Sequence, residues 1–264
     1  MFLLTLTVCA NGAKGIGCDG ASNNTDSLAY FSQKTVNCLT LCPIIIQRGK
    51  PMKKIVFADI PMKEMVAGRD GQCYARTGNA ECTYKGTVIY PINAVLAEKL
   101  KPNDEVKVVL LKTMTQNGNA EKNAELFRQE LDTINTNIGA HIVYEMIDTD
   151  FVETKANHEK RLRAMLAKIE DGAHLYADIT FGQKPLPMVL MCVLHFAEKF
   201  FNSDIKKIVY GKVDFVRHDD GKSYPENPEL YDVTSLYYLN GLVGAMEAPS
   251  GAVALKALDT FFAL

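Results

Sequence analysis

From residue 54 onward, apolar positions follow two periods that take turns. The run Ile55-Val56-Phe57-Ala58 is continuous and closes at Asp59, the pattern of a strand buried on both faces of a parallel sheet. Residues 60–88 are polar and contain glycine; a connection this long after a first strand is often functional. Pro91 then stands where a first helical residue belongs, ahead of Ile92, Val95, Leu96 and Leu100 on one helical face. A second strand is predicted over 106–111, closing with Lys112-Thr113. Residues 120–138 place Leu126, Phe127, Leu131, Ile134 and Ile138 at helical spacing, and Gly139 ends that helix. A third strand covers 141–147. A charged amphipathic helix follows over 154–170, with Leu162, Met165, Leu166 and Ile169 inward. The fourth strand is 174–179. The helix after it spans 185–202, its prolines 185 and 187 tolerated only in the first turn. A fifth strand covers 207–213, a polar loop 216–230, and a last helix 234–246.

Strands that alternate with helices make an α/β protein with a doubly wound, mainly parallel, Rossmann-like sheet and helices on both faces. Ligands of such sheets bind outside the carboxyl ends of the strands. That rule selects the loops after Asp59, Leu111, Ile147 and Ile179.

Composition narrows the chemistry. The formal charge of -2 gives no global attraction to polyanions, so a nucleotide site must be a local gathering of cations and backbone N–H groups. The longest apolar stretch, 186–201, is broken by His195, Glu198 and Lys199, so it reads as a buried helix and no membrane span is expected. The 7 cysteines are odd in number and lack the repeated close spacing of a zinc site. Free thiols in a cytoplasmic protein are the expectation, with no metal and no cofactor.

Residues 1–51 differ from the rest. Cys9, Cys18, Cys38 and Cys42 lie there, charges are few, and no periodicity persists. Gly15, Gly17 and Gly20 spell G-x-G-x-x-G, yet Ala21-Ser22-Asn23-Asn24-Thr25-Asp26 follows, which is turn chemistry rather than a helix start. Residues 1–51 are read as a leader, disordered or a mispredicted start. A sensor-like domain is expected over 52–248, and a connecting helix or packing tail over 249–264.

The densest chemistry is Asp178-Ile179-Thr180-Phe181-Gly182-Gln183-Lys184-Pro185. Gly182 allows close backbone approach, and a helix N-terminus supplies N–H groups and a positive dipole end. Lys184 adds a charge and Thr180 a hydroxyl. These suit a phosphodiester; they equally suit a capped strand–helix turn with Lys184 in solvent.

Asp178-Ile179-Thr180-Phe181-Gly182, followed by a Pro-Leu-Pro helix start, resembles the D-x-T-x-G segment of the CRISPR-associated Rossmann-fold (CARF) family. Ile208-Val209-Tyr210-Gly211 and Tyr231-Asp232-Val233-Thr234-Ser235 are similar to that family's next blocks, in the same order. Tyr84-Lys85-Gly86 through Leu96, then a strand ending Lys112-Thr113, also fits. The resemblance covers about residues 52–248. It implies a sensor of cyclic oligoadenylate in type III CRISPR antiviral defence, with a homodimer presenting its carboxyl-end loops to one ring. Carried onto this chain, the contacts it implies are Thr113, Thr180, Gly182, Gln183 and Lys184, with Phe181 inside the same motif. Many family members have Arg beside the glycine, where Gln183 stands here. Asp59 and Tyr84 join the candidates, Asp59 by its place at a strand end and Tyr84 as a ring able to stack on adenine.

Some family members also cut their ring without a metal, by attack of a ribose 2′-OH on the adjacent phosphorus. Lys184 and Thr180 are the catalytic candidates for such a ring nuclease. Family members usually carry a downstream effector, often a HEPN ribonuclease with R-x(4–6)-H. Arg217-His218 is adjacent rather than spaced, and residues 249–264 are too few for a nuclease fold, so the chain is expected to be either a stand-alone sensor or a fragment cut before its effector. A Rossmann-type oxidoreductase is the competing function. It requires a glycine fingerprint after strand one, where Ile60-Pro61-Met62-Lys63 stands, and an acid near the end of strand two, where Lys112-Thr113 stands. The P-loop signature of an NTPase is absent from the sequence.

Overall fold

The computed structural model describes residues 53–75, 78–114 and 116–263, all within the unit Arg48–Leu264. The glycine fingerprint at 15–20, the four early cysteines and the expected boundary at 51/52 lie outside the described residues. Of the other cysteines, Cys73 and Cys192 are exposed and Cys82 is buried, and each carries a free thiol.

Strands β1 (Lys53–Asp59), β2 (Glu105–Thr113), β3 (His141–Thr149), β4 (His174–Asp178), β5 (Asp204–Arg217) and β6 (Ser223–Asp232) form one sheet in the order β3-β2-β1-β4-β5-β6. The first five run parallel, and β6 pairs antiparallel with β5. Helices α1 (Pro91–Lys99) and α2 (Asn119–Asn135) cover one face. Helices α3 (Lys155–Leu166), α4 (Leu186–Phe200) and α5 (Thr234–Ala245) cover the other. This is the doubly wound, Rossmann-like architecture the alternation predicts.

The inner stretches of the central strands, Ile55–Ala58 in β1 and Val108–Leu111 in β2, are apolar without a break because each of their faces meets a helical layer. Val56 and Ala58 of β1 pack toward α1 and α2, whereas Ile55 and Phe57 pack toward α3 and α4. A side-chain period of two thus makes a continuous apolar run when both faces are covered. The order in which strands are added reverses between β1 and β4, which pair in parallel from Lys54↔His174 to Ala58↔Asp178. That reversal is the topological switch point, and it sets Asp59 and Asp178 at neighbouring strand ends.

Helix ends follow local chemistry. Pro91 opens α1, and the Ile92 N–H is capped from outside the helix by Asp178 Oδ2 at 3.1 Å. The helix predicted over 154–170 stops at Leu166, though Ile169 stays buried in the turn that follows. The polar loop predicted over 216–230 is instead the tip and second strand of a hairpin. Gly221, at φ +76°, donates its N–H to His218 O, and His218 N–H donates to Lys222 O. Pro225 and Pro228 lie in β6, which is an edge strand, where proline is tolerated. Helix α6 (Gly251–Phe262) covers most of the expected tail, and none of its residues is buried. No helix among the described residues is long and apolar enough to cross a membrane.

Candidate functional site

The carboxyl ends of β1, β4 and β5 converge on a cavity of about 310 Å³. Thr180 and Phe181 form one wall, just past β4, and β5 supplies Tyr210, Gly211, Lys212, Val213 and Phe215. Pro61, Lys63, Glu64 and Met65 come from the loop after β1, with Arg69, Asp70 and Tyr74 further along it. That loop is held by Asn123 of α2, which is fully buried. Its Nδ2 donates to Pro61 O at 2.7 Å and Lys63 O at 2.8 Å, and its Oδ1 accepts from Met65 N–H at 3.1 Å. A segment that reads as structureless is therefore fixed by one buried amide side chain.

The β4 end is equally constrained. Asp178 Oδ1 accepts from Thr180 N–H at 2.8 Å, so its carboxylate closes the turn and caps α1 together. Burial lifts its pKa to about 6, against the pull of those hydrogen bonds. Thr180 Oγ1 accepts from Gly211 N–H at 2.8 Å. Gly211 must be glycine: a Cβ there would lie 2.3 Å from Pro91 Cγ. Phe181 meets Tyr90 edge-on at 5.9 Å between ring centroids, and Tyr90 packs in turn on Phe127 at 4.8 Å. Phe181 is thus presented to the cavity by two aromatic supports.

The cavity combines rings with cations. Lys63 Nζ lies 5.1 Å from the Phe215 ring centroid, the range of a cation–π contact. Arg69 pairs with Asp70 at 2.6 Å and Lys212 with Glu229 at 2.6 Å. Glu64 and Asp70 stand on the same wall, so its charges are mixed, and the makeup is that of a largely apolar pocket with a few polar groups able to orient a ligand.

The residues singled out in sequence divide between two sides of the β4–α4 loop. Thr180 and Phe181 line the cavity. Gln183 is buried: its Nε2 donates to Thr113 Oγ1 at 3.1 Å and its Oε1 accepts from Arg161 at 2.9 Å. Thr113 is buried as well. Gly182 has φ +89°, and a Cβ on it would lie 2.8 Å from Asp59 Oδ2. Asp59 is 1% exposed, neither of its carboxylate oxygens has a hydrogen-bond partner among the described residues, and burial holds its pKa well above the ordinary range. Lys184 is exposed at the start of α4 and is not part of the cavity wall. Tyr84 is half-buried against the core between the sheet and helices α1 and α2, also away from the wall.

Sequence reasoning missed Lys63, Arg69, Tyr210, Lys212 and Phe215 as wall residues. Lys63 and Arg69 sit in the long loop 60–88, whose length is a functional signal but whose individual residues carry no motif. Phe215 borders the hairpin whose Asp220-Gly221 turn is a recognised hairpin signal.

No family model matches the chain. No curated protein matches it either. Among solved structures it is similar to Enterococcus italicus Csm6 bound to cyclic hexa-2'-fluoro-hexa-dAMP, at 12% identity and a TM-score of 0.34, over 72% of this chain and 44% of that one. The chain carries a Rossmann-like fold. The likeness to Csm6 is weak, and this chain spans under half of that protein's length.

Proposed function

We propose that this chain is a sensor domain that binds cyclic oligoadenylate, two copies presenting their carboxyl-end loops to one ring. The observation that supports the reading is the cavity itself. Thr180 and Phe181 of the D-x-T-x-G segment share a wall with Gly211, among aromatic side chains and beside Lys63, Arg69 and Lys212. Rings accept a stacked base with little regard to its edge, and ammonium and guanidinium groups accept phosphodiester oxygens. Lys184, exposed at the start of α4, adds a cation beyond the wall.

The same reading extends to ring cleavage. The ribose 2′-hydroxyl gives its proton to solvent as its oxygen bonds the adjacent phosphorus in line, the P–O5′ bond breaks to leave a 2′,3′-cyclic phosphate, and the departing 5′-oxygen takes a proton from solvent. The step needs positioning and charge stabilisation. Thr180 Oγ1 accepts from Gly211 N–H and its hydroxyl also bonds the Asp178 carboxyl, so for cleavage that hydroxyl turns from Asp178 to a non-bridging phosphate oxygen. Lys184 is the proposed cation for the developing charge.

Calorimetry with cyclic tetra-adenylate and cyclic hexa-adenylate tests the binding. One ring taken up per two chains, with linear adenylate bound weakly, is the expected result. Absence of binding by either ring overturns the proposal. Incubation of labelled rings with chelator present then tests cleavage: a 2′,3′-cyclic phosphate product supports it, and intact rings after prolonged incubation refute it.

A further inference from the structure

We infer that Arg161 is a positioning residue for the β4–α4 loop, acting through Gln183; the inference rests on the ligand-binding role proposed for that loop. Arg161 belongs to α3 and is 2% exposed. A guanidinium is rarely buried so deeply unless its donors are used; here both terminal nitrogens are engaged, while Nε has no partner among the described residues. Nη1 donates to both oxygens of Glu153, at 3.2 and 3.0 Å. Nη2 donates to Asp150 O at 2.7 Å and to Gln183 Oε1 at 2.9 Å. Gln183 passes the connection on, since its Nε2 reaches Thr113 Oγ1 at the end of β2. Thr149, at the end of β3, lies 3.5 Å from Thr113, hydroxyl to hydroxyl, and donates to Lys112 O at 3.3 Å. One cation thus ties the β3–α3 connection, the ends of β2 and β3, and the loop after β4.

The placement separates two jobs within a few residues. Thr180 and Phe181 line the cavity, whereas Gln183 spends both ends of its amide inside the protein. Gln183 could touch a ligand only by releasing Arg161 or Thr113, and either release leaves a buried donor or acceptor unpaired. Gly182, between the two jobs, rests against Asp59 in a left-handed backbone conformation. The loop therefore has its anchor on one side of the sheet and its working residues on the other. Arg161 sets the position of Thr180 and Phe181 without meeting the ligand.

Three variants test this: Gln183→Ala, which cuts both links; Gln183→Glu, which keeps an acceptor for Arg161 and lets the Thr113 hydroxyl turn to donate; and Thr113→Val, which cuts only the far link. Hydrogen exchange on ligand-free protein reads the loop directly. Amides of residues 180–184 should exchange about tenfold faster in Gln183→Ala, by an intermediate factor in Thr113→Val, and within about twofold of the parent in Gln183→Glu. Unchanged exchange in Gln183→Ala overturns the inference whether or not any ring binds. Affinity for the cyclic adenylates is the second readout: about tenfold weaker in Gln183→Ala and within about threefold in Gln183→Glu. A loss in Gln183→Glu larger than in Gln183→Ala also overturns it, because a carboxylate in direct contact with phosphate repels it. If the parent protein binds no ring while Gln183→Ala loosens the loop, the sensor proposal falls and the positioning role stands.

Discussion

Gly182→Ala tests whether the switch point is as tightly closed as its geometry indicates. Two costs combine there. Gly182 has φ +89°, a conformation that costs an L-residue about 1–2 kcal/mol. The added methyl would also lie 2.8 Å from Asp59 Oδ2 and 2.9 Å from Asp59 Cβ. Asp59 is 1% exposed, so it has no open space to swing into. Overpacking of this kind costs about 1–3 kcal/mol. The total expected is about 2–5 kcal/mol. Gly139 supplies a matched control: its φ is +80°, but nothing lies within 4 Å of where a Cβ would stand. Gly139→Ala should therefore show only the backbone cost, about 1–2 kcal/mol. Urea unfolding of both variants at one pH, with slopes checked for equality, measures the difference. A third variant sharpens it. Asp59→Gly removes both contacted atoms, so the Gly182→Ala, Asp59→Gly pair should cost less than the sum of its single changes. Equal destabilisation by Gly182→Ala and Gly139→Ala, within about 0.5 kcal/mol, would show that the loop yields freely around Asp59 and would refute the packing argument.

Asp178 makes stability depend on pH in a definite direction. Its carboxyl is lifted from 3.8 to about 6 by burial, so the folded protein keeps a proton that the unfolded chain releases. Its contribution is full below about pH 4 and is lost as pH rises to 6, by up to about 3 kcal/mol. Asp178→Asn should flatten that part of the profile in urea titrations at pH 4 to 7, and identical slopes in the two proteins would count against the assignment. In the cavity, Phe215→Ala and Lys63→Ala should each weaken cyclic adenylate binding by about tenfold, reflecting about 1.4 kcal/mol of stacking or cation contact. Only the lysine variant should reduce the salt dependence of binding, and calorimetry at two ionic strengths separates them. Gly211→Ala, with its Cβ 2.3 Å from Pro91 Cγ, should cost about 1–3 kcal/mol in thermal or urea unfolding and loosen the Thr180 link; a neutral result would mean that α1 slides aside at no cost.

The legible parts of this protein are those where one local rule decides. Continuous apolar runs mark β1 and β2, since burial on both faces erases alternation. Pro91 marks the start of α1. Ile55 through Asp59 and Leu175 through Asp178 are readable as strand ends, and the doubly wound rule then points to the β4–α4 loop. The β5–β6 hairpin is less readable because two signals compete. Asp220-Gly221 announces a tight turn, but Pro225 and Pro228 argue against a strand unless the strand is known to be an edge. Edge position is a property of the whole sheet and is not local to any window of residues. Gln183 fails to read correctly as an anchor for the same kind of reason. Nothing near it in sequence names its partners: Arg161 lies 22 positions away and Thr113 lies 70.

That distance explains how a motif can carry more than one role. A short signature such as Asp178 to Lys184 reads as a list of groups offered to a ligand. In the folded protein the groups point to different tasks. Asp178 closes the turn and caps a helix, Gly182 fits over Asp59, and Gln183 is tied to α3 and β2. Only Thr180 and Phe181 reach the cavity wall, and both are held there by neighbours: Gly211 N–H for the hydroxyl and Tyr90 for the ring. Most of the segment's polar chemistry is therefore internal, and the cations of the cavity wall come from elsewhere: Lys63, Arg69 and Lys212. If the cavity is the proposed ligand site, a substitution outside the signature, at Lys63 or Phe215, should then alter ligand choice more than a conservative change at Gln183, because the first changes the wall and the second only the anchor of the loop.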